Sequence, residues 1–442
     1  MNSKSFTISI FGLGYVGTVT AACLAKNGNR VIGVDKDESK VNLIGLGQSP
    51  IVEPKINDLL NDAINAEILT STSNVSEAIM NSDISIIAVG TPSRKNGSID
   101  LKYVENVCKE IAGILKNKKK YHTVILRSTV LPETCEKILI PIIEKISNKK
   151  QEKDFGFIFN PEFLREGSAV DDFYFPPKTV IGCSSSKDAQ LMKNLYNFTK
   201  APLFITSYKV AEMVKYADNA FHATKVIFGN EIGALAKTID VDSHEVMNIF
   251  CSDTKLNISS YYLKPGFAFG GSCLPKDLRA LMNMARHKNI STPLISSLIP
   301  SNEEHIDRAF EMIINYNKKK IGFLGFAFKA NTDDLRESPI LNLMERLIGK
   351  GYDVRCYDDS VQLAKLVGSN KLQLKNKLPH ISKLMVNSQD ELVDESELII
   401  IGNSNKEYLK SITKLNNDQV VVDLVRISEQ INYEINYNGI CW

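Results

Sequence analysis

Short apolar segments alternate with helical patterns along the first part of the chain, which is typical of a parallel sheet covered by helices. Residues 7–11 form the first apolar segment, and a helical pattern follows it and ends near Gly28. The later strands that the pattern predicts lie at residues 30–34, 84–89, 123–126, 157–159 and 179–181. In a doubly wound sheet of this kind, ligands bind beyond the carboxyl ends of the strands.

A glycine-rich turn joins the first strand to the first helix. Gly12, Gly14 and Gly17 form a G-x-G-x-x-G pattern, and Asp35 closes the second strand about 20 positions further on. Such glycines let the backbone approach a pyrophosphate, which the N-terminus of the helix would face. Asp35 would accept from a ribose 2′-hydroxyl and repel a 2′-phosphate. The pattern therefore predicts NAD rather than NADP, and a nucleotide-free unit of the same fold is the alternative.

Two threonines follow predicted strands at the edge where ligands bind. Thr91 comes after the strand at 84–89, and Thr129 after the strand at 123–126. Both are candidate cofactor contacts, although threonine is also common in ordinary loops.

A long helical pattern without a glycine or proline cluster runs from about residue 209 to 238. One of its faces carries a polar stripe, because the following residues recur at spacings of three and four: Lys215, Asn219, His222, Val226 and Asn230. Plain solvent exposure is one interpretation. The other is a cleft between domains, which the asparagine and histidine content favours over a solvated face of glutamate and lysine.

A second α/β unit begins near residue 318. Residues 320–325 are predicted as a strand that enters a tight turn, and Pro339 sits at the first turn of a helix. Further strands are predicted at residues 352–357, 398–402 and 420–424. Gly322 and Gly325 do not complete a G-x-G-x-x-G pattern, so we expect a ligand other than a second dinucleotide. The predicted fold class is α/β, with two Rossmann-like doubly wound domains joined by a long central helix.

Composition narrows the class of protein. Of 442 residues, 43% are hydrophobic and 24% charged, and the formal net charge is +2. These values are ordinary for a soluble globular enzyme and give no support to nucleic-acid or membrane-surface binding. No apolar stretch reaches the roughly 18 residues that span a membrane. The first apolar run is already a strand of the fold, so no signal peptide is expected.

Eight cysteines are scattered along the chain, with no C-x-x-C pair and no cysteine–histidine group at zinc spacing. We therefore expect no metal site. Scattered thiols fit a reducing compartment, and the predicted location is cytoplasmic.

One cysteine differs from the others because it lies in a glycine-rich loop. Cys273 follows Gly270 and Gly271 and precedes Lys276 and Asp277. In such a loop few side chains crowd the sulfur, and a nearby lysine favours the thiolate, which is the nucleophilic form. The loop predicts a functional thiol, and the alternative is a turn that happens to contain a cysteine.

A nucleophilic cysteine beside NAD indicates an oxidation that continues past the aldehyde. The thiol adds to the aldehyde, the thiohemiacetal loses hydride, and a thioester remains for hydrolysis. A charged or polar group must then stabilise the tetrahedral oxyanion. Lys215 and Asn219, one helical turn apart, fit that role.

Taken in order, these segments resemble the UDP-glucose/GDP-mannose dehydrogenase family over essentially the whole chain. They include the Cys273 loop at 266–277 and the run Thr-Asp-Asp-Leu-Arg-Glu-Ser-Pro at 332–339, and it is the whole set in this order that is specific. The other matching segments are residues 12–17, 160–167, 176–182, 211–216 and 328–329. The resemblance implies an NAD-binding Rossmann domain at 1–205, a central helical and dimerisation domain with the Cys273 loop at 206–305, and a nucleotide-sugar-binding Rossmann-like domain at 306–442.

The family oxidises the C6 hydroxyl of a nucleotide sugar to a carboxylate in two NAD-dependent steps. Carried over by resemblance, Cys273 is the nucleophile, Lys215 and Asn219 handle oxyanion and water, and Glu162 and Asp277 handle protons and water. The residues that resemble cofactor contacts are Gly12, Gly14, Tyr15, Val16, Gly17, Asp35, Lys40, Thr91, Thr129, Lys276 and Arg336. The residues that resemble nucleotide-sugar contacts are Glu166, Lys215, Asn219, His222, Asn230, Tyr261, Tyr262, Lys264, Phe267, Gly270 and Lys329.

The substrate is less closely defined by the resemblance. Ala268, Leu274 and the Tyr261–Tyr262 pair are similar to the GDP-mannose branch, which favours oxidation of GDP-mannose to GDP-mannuronate. UDP-glucose or another UDP-sugar is the alternative. Lys264 departs from the branch, which tends to have arginine there, and lysine lacks arginine's bidentate fork.

A different class of function also has to be considered. A non-catalytic nucleotide-sugar-binding relative would keep the fold, but the presence of Cys273 and Lys215 argues against it. Since family members assemble on the long helix, a homodimer or larger homo-oligomer is expected.

Overall fold

The computed structural model of the chain describes residues 5–238, 240–254, 263–287, 289, 292–361, 381–428 and 436–442. These residues form two compact units, Met1–Ala217 and Asp218–Trp442, called the N-terminal and C-terminal units below. Tyr261 and Tyr262, two of the predicted nucleotide-sugar contacts, lie outside the described residues.

An eight-stranded sheet forms the centre of the N-terminal unit, in the order β3-β2-β1-β4-β5-β6-β7-β8. Neighbouring strands are parallel except β6 and β7. The strands are β1 Thr7–Phe11, β2 Arg30–Val34, β3 Leu69–Thr72, β4 Ile84–Ile87, β5 His122–Leu126, β6 Phe155–Phe159, β7 Thr179–Gly182 and β8 Leu203–Thr206. The first six follow the order of a dinucleotide-binding Rossmann sheet.

Helices cover both faces of this sheet. They are α1 Tyr15–Lys26, α2 Glu38–Gly45, α3 Ile56–Asn65, α4 Val75–Met80, α5 Lys102–Leu115, α6 Ile140–Ser147, α7 Ala169–Tyr174 and α8 Ser186–Leu195. A π-helical turn, Cys135–Leu139, leads into α6. One buried cluster joins α1 to the sheet, and a second joins α5 and α6 to the other face. The central strands β1, β4 and β5 are mostly apolar because both of their faces are buried.

The C-terminal unit contains a five-stranded parallel sheet in the order β10-β9-β11-β12-β13. Its strands are β9 Lys320–Leu324, β10 Asp353–Tyr357, β11 Leu398–Ile401, β12 Val420–Asp423 and β13 Asn436–Gly439. Its helices are α10 Ser243–Ser252, α11 Leu274–His287, α12 Pro293–Ile314, α13 Pro339–Gly349 and the short helices Ile381–Leu384, Gln389–Glu395 and Tyr408–Ile412. Pro339 stands in the first turn of α13, as predicted.

A helix of 31 residues, α9 Tyr208–Thr238, crosses the boundary between the two units. Its length agrees with the predicted helix at 209–238. The two parallel-sheet units and this helix confirm the predicted fold class. Among the described residues, every helix is too short or too polar to cross a lipid bilayer.

Candidate active site

The turn between β1 and α1 has the geometry that a pyrophosphate needs. Gly12 has a left-handed φ of 95°, and a Cβ on Gly17 would overlap the Gly12 carbonyl oxygen, so the helix meets the turn closely. Over the part of the chain that is described, nothing lies within 4 Å of a Cβ placed on Gly14, and no side chain caps α1 there. Among the described residues, no capping side chain therefore occupies the start of α1, and this turn fits the phosphates of NAD.

Asp35 lies at the end of β2 beside this turn. Its Oδ2 accepts from Leu13 N at 2.7 Å, and its Oδ1 accepts from Asp37 N at 2.9 Å. The Lys40 ammonium lies 3.6 Å from Oδ2, and the carboxylate remains partly exposed. Each carboxylate oxygen keeps acceptor capacity, so Asp35 is available to a ribose hydroxyl.

Thr91 and Thr129 are brought together at the carboxyl edge of the sheet. The Thr91 hydroxyl donates to the Thr129 carbonyl oxygen at 3.0 Å. Thr91 is buried and Thr129 is half-buried. This hydrogen bond ties the loop after β4 to the loop after β5, so a ligand that touches one loop is positioned by both.

A buried glutamate that the sequence did not single out links the glycine-rich turn to the segment after β6. Glu53 accepts from Gly167 N and Ala169 N, each at 2.7 Å, and from the Tyr15 hydroxyl. Tyr15 in turn accepts from Gly167 N at 2.9 Å. Burial, followed by the Glu53 carboxylate, raises the pKa of Tyr15, which stays a neutral donor. The segment that Glu53 holds includes Glu166, a half-buried predicted substrate contact.

Lys215 on α9 and Glu162 after β6 form a buried ion pair, with Nζ and Oε1 3.0 Å apart. Only 5% and 9% of the two side chains are exposed. Glu162 also accepts from Leu164 N at 2.7 Å. Burial raises the pKa of Glu162, but Lys215 and the backbone donor outweigh it, so the net pKa lies below the ordinary value. The N-terminal unit thus places an ionised carboxylate against an ammonium group.

In the C-terminal unit, Cys273 stands immediately before α11, and its carbonyl oxygen accepts from Asp277 N at 2.9 Å. All eight cysteines lie in the described part of the chain, and Cys273 is the exposed one. Burial raises the pKa of every other cysteine, to about 12 for Cys23, Cys108 and Cys441. The exposed thiol at the start of a helix is therefore the one that is accessible to a reactant.

Asn219, Asp277 and Lys276 form a connected group in the same unit. The Asn219 side-chain amide donates to Asp277 Oδ2. The Lys276 ammonium lies 2.9 Å from Asp277 Oδ1, but outside hydrogen-bonding geometry. Asp277 is almost fully buried. The carboxylate orients the Asn219 amide and leaves its carbonyl oxygen and second N–H for other partners.

Two predicted nucleotide-sugar contacts serve the Cys273 loop itself. Asn230 accepts from Gly266 N at 3.1 Å and donates to the Phe267 carbonyl at 3.3 Å. A Cβ on Gly270 would overlap the Glu337 carbonyl oxygen, so Gly270 allows two backbones to touch. Of the polar stripe on α9, the structure therefore uses Asn230 to hold the loop.

The remaining predicted contacts differ in their surroundings. Arg336 is oriented by Asp334, which accepts from Nε at 2.8 Å and from Nη2 at 2.7 Å. His222 and Lys329 are half-buried, whereas Lys264 is exposed. Val16 lies in the first turn of α1, and its carbonyl oxygen accepts from the Thr20 hydroxyl at 2.6 Å.

The fold and these groups define an NAD-dependent dehydrogenase whose C-terminal unit adds an accessible thiol. Family models agree: those of the UDP-glucose/GDP-mannose dehydrogenase family match the NAD-binding domain at residues 6–200, the central domain at 209–304 and the UDP-binding domain at 322–430.

Individual relatives agree with the family models. A GDP-mannose 6-dehydrogenase of Pseudomonas aeruginosa is 47% identical over 435 residues, 98% of this chain and 100% of that protein. A UDP-glucose 6-dehydrogenase of Bacillus subtilis is 38% identical over 355 residues, 79% of this chain and 75% of that protein. A solved UDP-glucose dehydrogenase from Pyrobaculum islandicum superposes with a TM-score of 0.89 at 31% identity, covering 100% of this chain and 99% of that chain.

The chain belongs to the UDP-glucose/GDP-mannose dehydrogenase family and is an NAD-dependent nucleotide-sugar dehydrogenase. This confirms the family, the class of enzyme and the cofactor predicted from the sequence. The predicted domain boundaries and the roles of the individual site residues remain predictions.

Proposed function

We propose that the chain oxidises the C6 hydroxyl of GDP-mannose to a carboxylate, giving GDP-mannuronate. The observation that carries this proposal is the 47% identity to a GDP-mannose 6-dehydrogenase across all of that protein. The UDP-glucose 6-dehydrogenase match is weaker and covers 79% of this chain. UDP-glucose is the second candidate substrate, because the Pyrobaculum islandicum enzyme of that activity has a closely similar fold.

The glycine-rich turn, Asp35 and Arg336 would hold the cofactor. NAD, when bound, accepts one hydride in each of the two oxidations. In the first oxidation, the C6 hydroxyl loses its proton to a carboxylate of the chain and its carbon loses hydride. Glu162, ionised beside Lys215, is the proposed acceptor of that proton, and because its pKa is lowered it would pass the proton on rather than keep it.

Cys273 then adds to the C6 aldehyde. A sulfur–carbon bond forms, and the resulting thiohemiacetal loses a proton and a hydride to give a thioester. Water attacks the thioester, the sulfur–carbon bond breaks, and the carboxylate product leaves the free thiol. Asn219, oriented by Asp277, is suited to donate to the oxyanion of each tetrahedral species. Lys215 is the second proposed donor.

The oligomer is a homodimer in this proposal. Phe221 and Phe228 on α9 and Ile249 on α10 are exposed apolar side chains, at 43%, 42% and 67%. A second copy would cover them, and Phe221→Asp should then shift the mass measured by light scattering to that of one chain. A monomeric wild type would contradict the proposal. A cytoplasmic location stays a prediction from the scattered thiols.

The decisive experiment combines a substrate panel with one cysteine variant. We expect NADH formation from GDP-mannose with NAD, and little from UDP-glucose. Cys273→Ala should fold and bind both ligands but form no sugar acid, because the thioester cannot form. Cys251→Ala, a half-buried cysteine of the same unit, is the matched control. Rapid formation of sugar acid by Cys273→Ala would rule out the thioester route. Turnover of UDP-glucose with none of GDP-mannose would make UDP-glucose the substrate.

A further inference from the structure

The loop that presents Cys273 is held by an asparagine from another helix. Asn302 of α12 accepts from Phe269 N through Oδ1 at 2.8 Å, and donates from Nδ2 to the Phe269 carbonyl oxygen at 3.0 Å. One amide thus pairs with both backbone groups of one residue, as a neighbouring strand would. Asn302 is 6% exposed and Phe269 is 8% exposed, so water competes little for these bonds.

The side chain of Phe269 is fixed as firmly as its backbone. It packs in a buried cluster with side chains of α9, α11 and α12: Ala223, Ile227, Leu278 and Leu298. A second residue of α12, His305, lies with Nε2 2.7 Å from the Gly266 carbonyl oxygen. Helix α12 therefore holds the loop at its beginning and again four residues before the thiol.

The three residues between Phe269 and Cys273 have little freedom of their own. A Cβ on Gly270 would overlap the Glu337 carbonyl oxygen and the Pro339 ring. Gly271 has a left-handed φ of 82°, and a Cβ there would lie 3.0 Å from the Phe328 ring. At the far end, the first turn of α11 holds the Cys273 carbonyl. The place of the sulfur is thus set by the Phe269 anchor on one side and by α11 on the other.

We propose that Asn302 is a positioning residue for Cys273. It fixes the backbone of Phe269 and so holds the thiol where it meets the aldehyde. It acts through the loop and belongs to none of the predicted contacts to cofactor or nucleotide sugar. The inference rests on the proposed role of Cys273 as nucleophile, and on no assumption about which sugar is bound.

The test compares Asn302→Ala with Gln419→Ala. Gln419 is a buried amide of the same unit whose Nε2 donates to the carbonyls of Val393 and Ser396, each at 2.7 Å, so its loss also removes backbone hydrogen bonds. We expect kcat to fall about 10- to 100-fold in Asn302→Ala, since misplacement by about 1 Å can cost that much. KM for the nucleotide sugar should stay within about twofold, and Gln419→Ala should keep the wild-type kcat.

Hydrogen exchange provides a readout that needs neither substrate nor cofactor. The Phe269 N–H donates to Asn302, so exchange in the segment 266–273 should accelerate about tenfold or more in Asn302→Ala and remain unchanged in Gln419→Ala. Unchanged exchange at 266–273 in Asn302→Ala would overturn the claim that Asn302 holds the Phe269 backbone. Faster exchange with a wild-type kcat overturns the positioning role.

A second variant, Asn302→Asp, tests the proposal if Asn302→Ala folds poorly. Asn302→Asp keeps the volume and one acceptor but loses the donor to the Phe269 carbonyl at neutral pH. It should also lower kcat and speed exchange at 266–273, and wild-type behaviour in both would overturn the proposal. Should Cys273→Ala itself form the sugar acid rapidly, the proposed thioester route fails, whereas the exchange result still decides whether Asn302 holds the loop.

Discussion

Each of the two units carries an aspartate at the same point of its sheet, and the two carboxylates differ in exposure and in hydrogen-bond partners. In the N-terminal unit, Gly12 N donates to the last residue of β2, and Leu13 N donates to Asp35 at 2.7 Å. In the C-terminal unit, Gly325 N donates to the last residue of β10, and Phe326 N donates to Asp358 at 2.9 Å. Both turn glycines have left-handed φ values, 95° and 84°.

The surroundings of the two carboxylates then diverge. Asp35 has two backbone donors and is partly exposed beside Lys40. Asp358 is buried and accepts from three backbone N–H groups, those of Phe326, Ala327 and Ser360, and from the Asn403 amide. Burial raises the pKa of Asp358, against the effect of these donors. Asp358 is saturated within the protein, whereas Asp35 keeps room for a ligand.

The difference shows what an acidic residue after the second strand signifies. The position alone brings the carboxylate to the turn in both units. Whether the carboxylate can bind a ligand depends on how many backbone N–H groups already donate to it. In the C-terminal unit a longer segment, residues 326–338, separates the turn from α13. The N–H groups of its first two residues donate to the Asp358 carboxylate.

The largest effect should come from Asp358→Ala. Two buried N–H groups and one half-buried N–H group would lose their acceptor, which costs about 3–5 kcal/mol. We expect the melting temperature of the C-terminal unit to fall by roughly 10 °C. Asp35→Ala should lower the melting temperature of its unit by much less. Scanning calorimetry of both variants measures the two changes in melting temperature, and equal changes would contradict the comparison.

Asp35→Ala should instead alter cofactor use. Loss of a charge-assisted hydrogen bond worth about 1.5–3 kcal/mol raises KM for NAD by roughly 10- to 100-fold. Discrimination against NADP should shrink, because the repelling charge is gone. Steady-state kinetics with each cofactor tests this, with Asp37→Ala, a neighbouring helix cap, as control. Equal use of both cofactors by the wild type would contradict the role of Asp35.

Lowering the pH should cause a smaller loss of folding stability, through a buried histidine of the N-terminal unit. Burial, and then Lys118, lowers the pKa of His122 to about 3. Because the unfolded chain binds this proton near pH 6.5 and the folded chain does not, stability falls as the pH falls from 6.5 towards 3.

This group alone removes about 2 kcal/mol by pH 5. The test is the free energy of unfolding in urea, measured at pH 7 and at pH 5. In His122→Gln the difference between the two pH values should be smaller by that amount, whatever the stability of the variant at pH 7. His287→Gln, at an exposed site, should keep it. Burial also lowers the pKa of His244, to about 4, so the C-terminal unit should show the same direction. An unchanged pH dependence in His122→Gln would contradict the assignment.

The smallest effect concerns two glutamates with left-handed backbones. Glu133 has a φ of 78° and pairs with the exposed Lys137 at 2.9 Å. Glu337 has a φ of 49° and receives both Nη groups of Arg279, Nη1 at 2.7 Å. Glu133→Gly relieves the strain and keeps the N–H that Glu212 accepts, so it should stabilise by about 1 kcal/mol.

Glu337→Gly relieves strain as well but loses the Arg279 contact, so we expect it to destabilise. Thermal melting of both variants measures the two signs. A stabilised Glu337→Gly would show that the Arg279 contact is worth less than the strain.

The parts of this fold that local patterns determine were predicted from the sequence. The glycine turn, Asp35, the helix start at Pro339 and the length of α9 follow from turn chemistry and periodicity over a few residues. The strand ends moved by up to two residues, as when β4 stops at Ile87 rather than at residue 89. The π-helical turn at Cys135–Leu139 has no periodic signal of its own and was not predicted.

Residues that act across long separations were missed. Glu53 binds the backbone of Gly167, 114 positions away, and Asn302 binds Phe269, 33 positions away. Neither belongs to a short motif, because each partner is a backbone group that any residue could supply. Asn230 was placed on a polar helical stripe by periodicity and as a sugar contact by resemblance, and its amide also binds the loop at Gly266 and Phe267. Periodicity identifies the face but not the partner.

The exposure of Cys273, beside five buried and two half-buried thiols, has a practical consequence for labelling. The thiolate is the species that maleimides and haloacetamides attack, and burial holds the other seven cysteines in the thiol form near neutral pH. A fluorophore should therefore attach first at Cys273, and replacement of the two half-buried cysteines, Cys183 and Cys251, would make the labelling specific to that position. The dye would report from the start of α11, and protection of that thiol by a ligand would give a direct titration of occupancy.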